Sequence, residues 1–169
     1  MFIGATRFDQ PLNDWDTSEV TNMSYMFNEA TSFNQPLNNW DTTNVTNMSG
    51  MFRGATSFNQ PLDNWNTTNV TYMYVMFERA TSFNQPLNDW DTSNVRDIRY
   101  MFSKAEKFNQ SLDNWDINNI TNNAYFIKDI FLDSGLEEDN YCKLFKGKSK
   151  AIWTKYKSVL GVSSSYECN

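Results

Sequence analysis

Two rows of acidic and amide side chains recur every 25 residues along the chain, and they are the first groups that could take part in chemistry. The first polar row comprises Asp14, Asn39, Asn64, Asp89 and Asn114, and the second polar row comprises Asp16, Asp41, Asn66, Asp91 and Asp116. Stacked carboxylates attract cations, so the rows predict a binding face, with a basic protein or Ca²⁺ as candidate ligands. The alternative interpretation is that these side chains cap turns and keep the surface soluble.

Catalysis is not expected from this composition. The chain has no histidine, which removes the usual general base, the Ser-His and Cys-His nucleophile pairs and the commonest transition-metal ligand. Paired carboxylates can cleave glycosides. An active site, however, is expected to interrupt a repeat once, whereas these carboxylates recur with it. We therefore expect a protein that is not an enzyme, with no catalytic residue, no cofactor and no dedicated metal site.

The polar rows belong to a 25-residue unit that is repeated five times from Met1 without insertion or deletion. Residues 26–50 read MFNEATSFNQPLNNWDTTNVTNMSG, and residues 51–75 read MFRGATSFNQPLDNWNTTNVTYMYV. A fixed period of this length indicates repeats that stack and bury their apolar faces against their neighbours. The equivalent tryptophans should then share one environment: Trp15, Trp40, Trp65, Trp90 and Trp115.

Within each unit the pattern predicts one short helix and one strand. Thr21 can cap a helix whose apolar face would comprise Met23, Met26, Phe27 and Ala30. The following LNNWDTTNV compares with the leucine-rich-repeat pattern, so Trp40 and Thr42 should point inward and Asn39 and Asp41 outward. We therefore expect an α/β solenoid, leucine-rich-repeat-like, with stacked parallel strands and short helices. A helix-poor β-solenoid is the alternative.

Two further features have competing interpretations. The tryptophan row could face solvent as a platform for sugars, but the leucine-rich-repeat spacing favours a place in the core. Variation between the copies concentrates on the predicted helix, which favours either a binding surface there or mere tolerance. The variable columns are Asn28/Arg53/Glu78/Ser103, Glu29/Gly54/Arg79/Lys104 and Ser24/Ser49/Tyr74/Arg99.

The motif M-F-x-x-A-T-S-F-N-Q-P-L-N-x-W-D-T-S-N-V-T-N-M resembles the 25-residue repeat of bacterial surface proteins of the BspA-like leucine-rich-repeat family. The resemblance covers residues 1 to about 127, and SGLEEDNYCKLFKG and VLGVSSSYECN are similar to the closing segment of that family. It implies a secreted or surface-attached protein that mediates adhesion or protein binding. The family supplies no catalytic residues to carry over.

The expected domains are a five-repeat solenoid at 1–127 and a C-terminal helical cap at 128–169. Ser134 and Glu137 have capping-box spacing, and a second amphipathic segment ends before Gly161, so two short helices should shield the last repeat. The only cysteines, Cys142 and Cys168, lie in this cap. The resemblance to secreted proteins favours a disulfide between them, and two free buried thiols are the alternative.

Charge and hydropathy limit the partners and the cellular location that the sequence predicts. A net charge of −6 argues against nucleic acid and an anionic membrane surface as partners. No apolar run approaches the roughly 18 residues that span a bilayer. The chain shows no signal peptide, and Met1 already occupies the methionine position of the repeat, so we expect a fragment of a longer extracellular or cell-surface protein.

These observations together predict a non-enzymatic repeat module that binds another macromolecule, in adhesion or protein–protein interaction. Its ligand would be a protein or a glycan of unknown identity, and its oligomeric state is left open. A structural spacer or stalk segment of a larger surface protein is the alternative, and a glycan-binding module is a further one.

Overall fold

The computed structural model of the chain describes residues 1–120, 123–162 and 166–168. Its two α-helices are α1 (Glu138–Leu144) and α2 (Lys150–Lys155), and 3₁₀ turns span Ala124–Ile127 and Lys157–Val159. Residues 1–120 contain no helix and no strand, only turns and isolated parallel bridges. The predicted leucine-rich-repeat-like α/β solenoid is therefore wrong. Its β-solenoid alternative fails as well, because it also requires stacked strands.

The predicted repeat helix is absent because alternate backbone N–H groups bond to the neighbouring repeat. The N–H groups of Tyr25 and Phe27 donate to the carbonyls of Ser49 and Met51, each at 2.9 Å. The intervening Met26 N–H instead closes a turn onto the Met23 carbonyl at 3.3 Å. An α-helix would need every one of these donors for its own i→i−4 bonds. Apolar residues at helical spacing therefore mark a buried face of consecutive turns.

The predicted strand is divided by two turns. The Trp40 N–H donates to the Leu37 carbonyl at 3.0 Å, and the Val45 N–H donates to the Thr42 carbonyl at 3.0 Å. Parallel pairing is limited to single bridges such as Asn22 with Asn47. The inward and outward pattern nevertheless holds. Trp40 and Thr42 are buried, whereas Asn39 and Asp41 are exposed.

Equivalent side chains of successive repeats pack directly on one another, as the 25-residue period predicts. One ring of each repeat stacks on the next at centroid distances of 5.6–5.7 Å, in the row Phe27, Phe52, Phe77 and Phe102. The tryptophan rings also stack, with Trp65 and Trp90 at 6.3 Å. Both rows belong to one continuous hydrophobic core. The mutual burial of equivalent residues is therefore confirmed.

Amide side chains connect the repeats at their surface. The recurrence of asparagine at Asn44, Asn69, Asn94 and Asn119 predicts a ladder of side-chain bonds to backbone groups, and this ladder is confirmed. Asn44 Nδ2 donates to the Ser18 carbonyl at 2.7 Å, and Asn69 Nδ2 donates to the Thr43 carbonyl at 2.8 Å. A second ladder, not predicted, uses the FNQ motif. Asn59 Oδ1 accepts a hydrogen bond from the Asn84 backbone N–H at 2.9 Å. Side chains thus satisfy backbone groups that strands would otherwise pair.

The C-terminal segment packs on the last repeats. Phe131 stacks on Phe102 at 6.1 Å and contacts Trp153 of α2 at 6.3 Å. The inter-repeat bonds run past residue 127, since the Lys104 N–H donates to the Leu132 carbonyl at 2.7 Å. The domain division at 127/128 stays a prediction. Among the described residues, no helix is long and apolar enough to cross a membrane.

Candidate functional site

The second polar row lies at the surface and caps turns. Asp16 Oδ1 accepts hydrogen bonds from the Ser18 hydroxyl at 2.7 Å and the Ser18 N–H at 3.0 Å, and Asp91 and Ser93 form the same pair of bonds. The serine hydroxyl and then the N–H lower the pKa of each of these carboxyl groups. The geometry therefore fits the turn-capping interpretation. Ligand binding by this row stays a prediction.

The first polar row is exposed beside the second. The asparagines of this row are held by hydrogen bonds from their backbone N–H groups. The Asn64 N–H, for example, donates to Asn38 Oδ1 at 3.0 Å. Both rows border a surface groove of about 500 Å³ whose lining includes Asp89, Asp91, Asn114, Asp116 and Lys148. Within the part of the chain that the structure describes, no three acidic or sulfur side chains lie close enough to hold a metal ion. Because Ca²⁺ also accepts amide and carbonyl oxygens, the calcium interpretation stays a prediction.

The tryptophan row is buried. Trp40, Trp65, Trp90 and Trp115 are at most 4% exposed, and only Trp15, in the first repeat, is exposed at 43%. The Trp65 indole N–H donates to the Leu37 carbonyl of the preceding repeat at 3.0 Å. The core interpretation is therefore confirmed for these four tryptophans, which leaves their rings unavailable as a platform for sugars.

The predicted disulfide is present. Cys142 and Cys168 are bonded, with their Cα atoms 5.2 Å apart. The bridge ties the C-terminal tail to α1, as expected. The Tyr166 hydroxyl reinforces this attachment by donating to the Leu136 carbonyl at 2.8 Å. Free thiols are therefore excluded as the interpretation of this pair.

Part of the variation between repeats is explained by contacts between the repeats themselves. Arg53 Nε lies 2.7 Å from Glu78 Oε2, and its guanidinium also lies 3.5 Å from Glu29 Oε1. Gly54 leaves room for the Glu29 carboxylate, which would lie 2.7 Å from a Cβ atom at that position. The residues in these two variable columns thus complement those of the adjacent repeats in charge and size. Their variation therefore does not require a ligand.

The third variable column contributes Tyr74 and Arg99 to a cluster at the surface. The Arg99 guanidinium lies between the rings of Tyr74 and Tyr125, at 4.6 and 4.7 Å from their centroids. It also pairs with the buried Asp97 carboxylate at 2.8 Å. The ion pair with Asp97 fixes the position of the Arg99 guanidinium, and the cation–π contacts of that guanidinium then fix the Tyr74 and Tyr125 rings.

Beside this cluster lies the aromatic–arginine patch, which we define as Tyr72, Arg96, Tyr125 and Phe126, all exposed. The patch occurs where the repeat departs from its own pattern. Tyr72 stands where the first two repeats have Asn22 and Asn47, and Arg96 stands where the four other repeats have threonine. Each of these two substitutions occurs in one repeat only, and such a substitution is the feature of the sequence that could have indicated the patch. They were overlooked because Tyr72 and Arg96 lie outside the columns recognised as variable.

Comparison with known proteins identifies a family of repeat proteins. Residues 1–73 and 37–133 each match the profile of a family described as "Mycoplasma protein of unknown function, DUF285". No curated protein and no solved structure matches the chain. The two overlapping matches cover the repeats and agree with a repeat protein, whereas the narrower BspA-like assignment is not shown. The chain therefore belongs to the family described as Mycoplasma protein of unknown function, DUF285.

Proposed function

We propose that the chain is a non-catalytic repeat module of an extracellular or cell-surface protein, and that it binds another macromolecule through the aromatic–arginine patch. One observation carries the proposal. Exposed Tyr72, Phe126 and Arg96 line one cleft, and exposed Tyr125 lies beside Phe126 with their ring centroids 5.7 Å apart. Aromatic residues and arginine are the side chains enriched at protein interfaces and at their energetic centres.

The proposed location rests on the disulfide. Bridges such as Cys142–Cys168 form and persist in oxidising compartments and are rare in the cytosol. The resemblance to BspA-like surface proteins supports the same location and a role in adhesion. The absence of histidine supports a binding role over catalysis.

The proposal is tested by presenting the full chain to extracellular matrix proteins, host receptors and a glycan array. Binding should fall in Tyr72→Asn, which restores the residue found at Asn22 and Asn47 and is therefore compatible with the fold. Binding should persist in Asp91→Asn, because asparagine stands at the equivalent Asn66 and can cap the turn. Loss of binding in Asp91→Asn alone would move the binding face to the polar rows and overturn the patch.

A structural spacer is the second candidate. The uninterrupted phenylalanine stack and the inter-repeat bonds favour it, since they make a stiff element from repeated units. A spacer would show no saturable ligand in the same screen. Replacing the whole chain by an unrelated folded module of similar length would then leave the activity of the full-length protein unchanged.

A further inference from the structure

The aromatic–arginine patch contains a small cleft between two aromatic walls. The walls come from equivalent positions of successive layers of the stack, where one layer is one repeat or the segment that follows the last repeat. The carbonyl of Tyr72 accepts from the Met48 N–H, and the carbonyl of Asp97 accepts from the Met73 N–H. The carbonyl of Phe126 accepts the equivalent bond from the Ile98 N–H. Asp97 is buried, whereas Tyr72 and Phe126 on either side of it are 43% and 37% exposed. The resulting cleft has a volume of about 290 Å³, and buried Ile120 is part of its lining.

Arg96 supplies an uncompensated positive charge to this cleft. The side chain is exposed, and its backbone N–H donates to the Thr71 carbonyl at 2.9 Å. Among the described residues, no hydrogen bond or ion pair engages the Arg96 guanidinium. Arg99, three residues away, is by contrast paired with Asp97. Arg96 is thus available to a carboxylate of a partner, with which arginine forms bidentate hydrogen bonds.

Among the described residues that line the cleft, Asn119, Asn123 and Asp97 each make hydrogen bonds within the chain. Asn119 Nδ2 donates to the Ser93 carbonyl, and Asn123 Oδ1 accepts from the Tyr125 N–H at 2.9 Å. Asp97 Oδ1 accepts from the Arg99 N–H at 3.1 Å, and its charge is balanced by the Arg99 guanidinium. The described lining therefore offers a ligand apolar walls and one cationic hydrogen-bond donor.

This combination favours a protein ligand over a glycan. A sugar presents many hydroxyl groups and loses their hydration when it binds, so its site needs several polar partners. A peptide segment with an apolar side chain next to an aspartate or glutamate needs apolar walls and one cation. A second copy of the chain is disfavoured, because two molecules of net charge −6 repel each other.

Resting on the proposed function, we propose that this cleft binds a segment of a partner protein in which an aspartate or glutamate adjoins an apolar side chain. The apolar side chain lies between Tyr72 and Phe126, and the carboxylate pairs with the Arg96 guanidinium. The cleft recognises only these two adjacent side chains of the segment. Specificity therefore comes from the requirement for a carboxylate next to an apolar side chain.

The test is selection of a displayed random heptapeptide library on the full chain, followed by titration of the enriched synthetic peptides. The enriched peptides should place an acidic residue beside an aromatic or large aliphatic one. Arg96→Thr, which restores the residue of the first three repeats, should weaken their binding by about tenfold or more, as expected for a central interface arginine. Tyr72→Asn should weaken binding similarly.

The matched control is Arg7→Thr, which removes the same charge from an exposed site in the first repeat and should leave peptide affinity unchanged. Equal melting temperatures of the three variants would exclude unfolding as the cause of a loss. Peptides that lack acidic residues, or that bind Arg96→Thr as tightly as the native chain, would overturn the inference. Glycan binding or self-association abolished by Arg96→Thr would also overturn it.

The same variants separate this inference from the proposed function. If Tyr72→Asn loses the macromolecular ligand while Arg96→Thr retains it, the patch still binds and only the acidic-segment chemistry fails. If neither variant affects a ligand that the native chain binds, the patch itself fails.

Discussion

At the scale of single residues, the buried tryptophans combine two contributions that are usually separate. Each ring fills the core between repeats, and its indole N–H satisfies a leucine carbonyl of the repeat before it, as in the bond from Trp40 to Leu12 at 2.8 Å. The same leucine carbonyl also accepts the backbone N–H of the tryptophan in its own repeat, as from Trp15 to Leu12 at 3.1 Å. Replacing such a tryptophan therefore creates a cavity in one repeat and removes one of the two hydrogen bonds that a carbonyl of another repeat accepts.

For Trp65→Ala we expect a loss of about 3–5 kcal/mol in the free energy of unfolding, because the residue is central and only 4% exposed. Denaturant melts measure the loss. Trp15→Ala is the control, since Trp15 is 43% exposed in the first repeat and should lose much less. A loss under about 1 kcal/mol for Trp65→Ala would contradict its role in the core.

The buried position of Asp97 predicts the direction of a pH dependence in the stability of the protein. Burial raises the pKa of the Asp97 carboxyl, while the N–H and the charge of Arg99 act to lower it. A raised pKa means that Asp97 contributes stability below its ordinary value of 3.8, and that this contribution is lost as pH rises through the folded pKa. The free energy of unfolding of Asp97→Asn, relative to the native chain, should therefore increase from acid to neutral pH.

Asp91→Asn is the control with the opposite sign. Hydrogen bonds from Ser93 lower the pKa of the Asp91 carboxyl, so its contribution is present above the unfolded value and is lost as pH falls through the folded pKa. Relative to the native chain, Asp91→Asn should thus lose stability towards neutral pH. Parallel pH trends for the two variants in denaturant melts would rule out the assigned environment of Asp97.

At the scale of elements, the turn segments depend on two columns of positive φ. Gly50 and Gly54 adopt φ of 62° and 68°, and non-glycine residues adopt the same region at the equivalent places, including Tyr25 and Glu29. This conformation directs alternate N–H groups towards the neighbouring repeat. Glycine adopts it without strain, whereas other residues are destabilised in it.

Gly50→Ala tests packing at one of these columns. A Cβ at Gly50 would lie 2.3 Å from the Tyr25 ring, whereas a Cβ at Gly4, with a similar φ of 69°, would meet nothing within 4 Å. We expect Gly4→Ala to cost about 1 kcal/mol from backbone strain, and Gly50→Ala to cost about 1 kcal/mol more by displacing the ring. Thermal melts of both variants measure the difference. Equal losses would show that Tyr25 moves aside freely.

The sequence predicted the burial of side chains more accurately than it predicted the backbone conformation. Spacings of three, four and seven residues showed that Met23, Met26, Phe27 and Ala30 share a face, but consecutive turns create the same face. Hydrogen-bond partners 24 residues away leave no local trace, so the helix was predicted wrongly. The Asn44 ladder was recognisable because a polar residue that recurs with a repeat needs a recurring partner.

The candidate site was predicted less well, because repetition hides exceptions. The polar rows were prominent through recurrence, yet Asp16 and Asp91 fulfil a local role in their own turns. Tyr72 and Arg96 each occur once, and a single departure from a repeat resembles neutral variation. Only the stacking of coils shows that they border the same cleft as Phe126.

At the scale of the whole molecule, the disulfide stabilises the C-terminal segment against which the last repeats pack. It closes a loop with a sequence separation of 26 residues, so its reduction should cost about 3 kcal/mol. Thermal melts with and without dithiothreitol measure the effect. The Cys142→Ser/Cys168→Ser double variant should melt like the reduced chain and be insensitive to the reductant. A native chain insensitive to reduction would show that the bridge contributes little.

The Asn59 N–H donates to Asn34 Oδ1, and Asn59 Oδ1 accepts the equivalent bond from the Asn84 N–H, each at 2.9 Å, so the joints between these successive repeats are interchangeable. Unequal recombination that removed the DNA for residues 51–75 would join Gly50 to Met76 and bring Asn34 against Asn84 in an equivalent joint. A shift of one codon would misalign every later joint. Genes for such chains can therefore change length in whole steps of one unit while the encoded protein still folds.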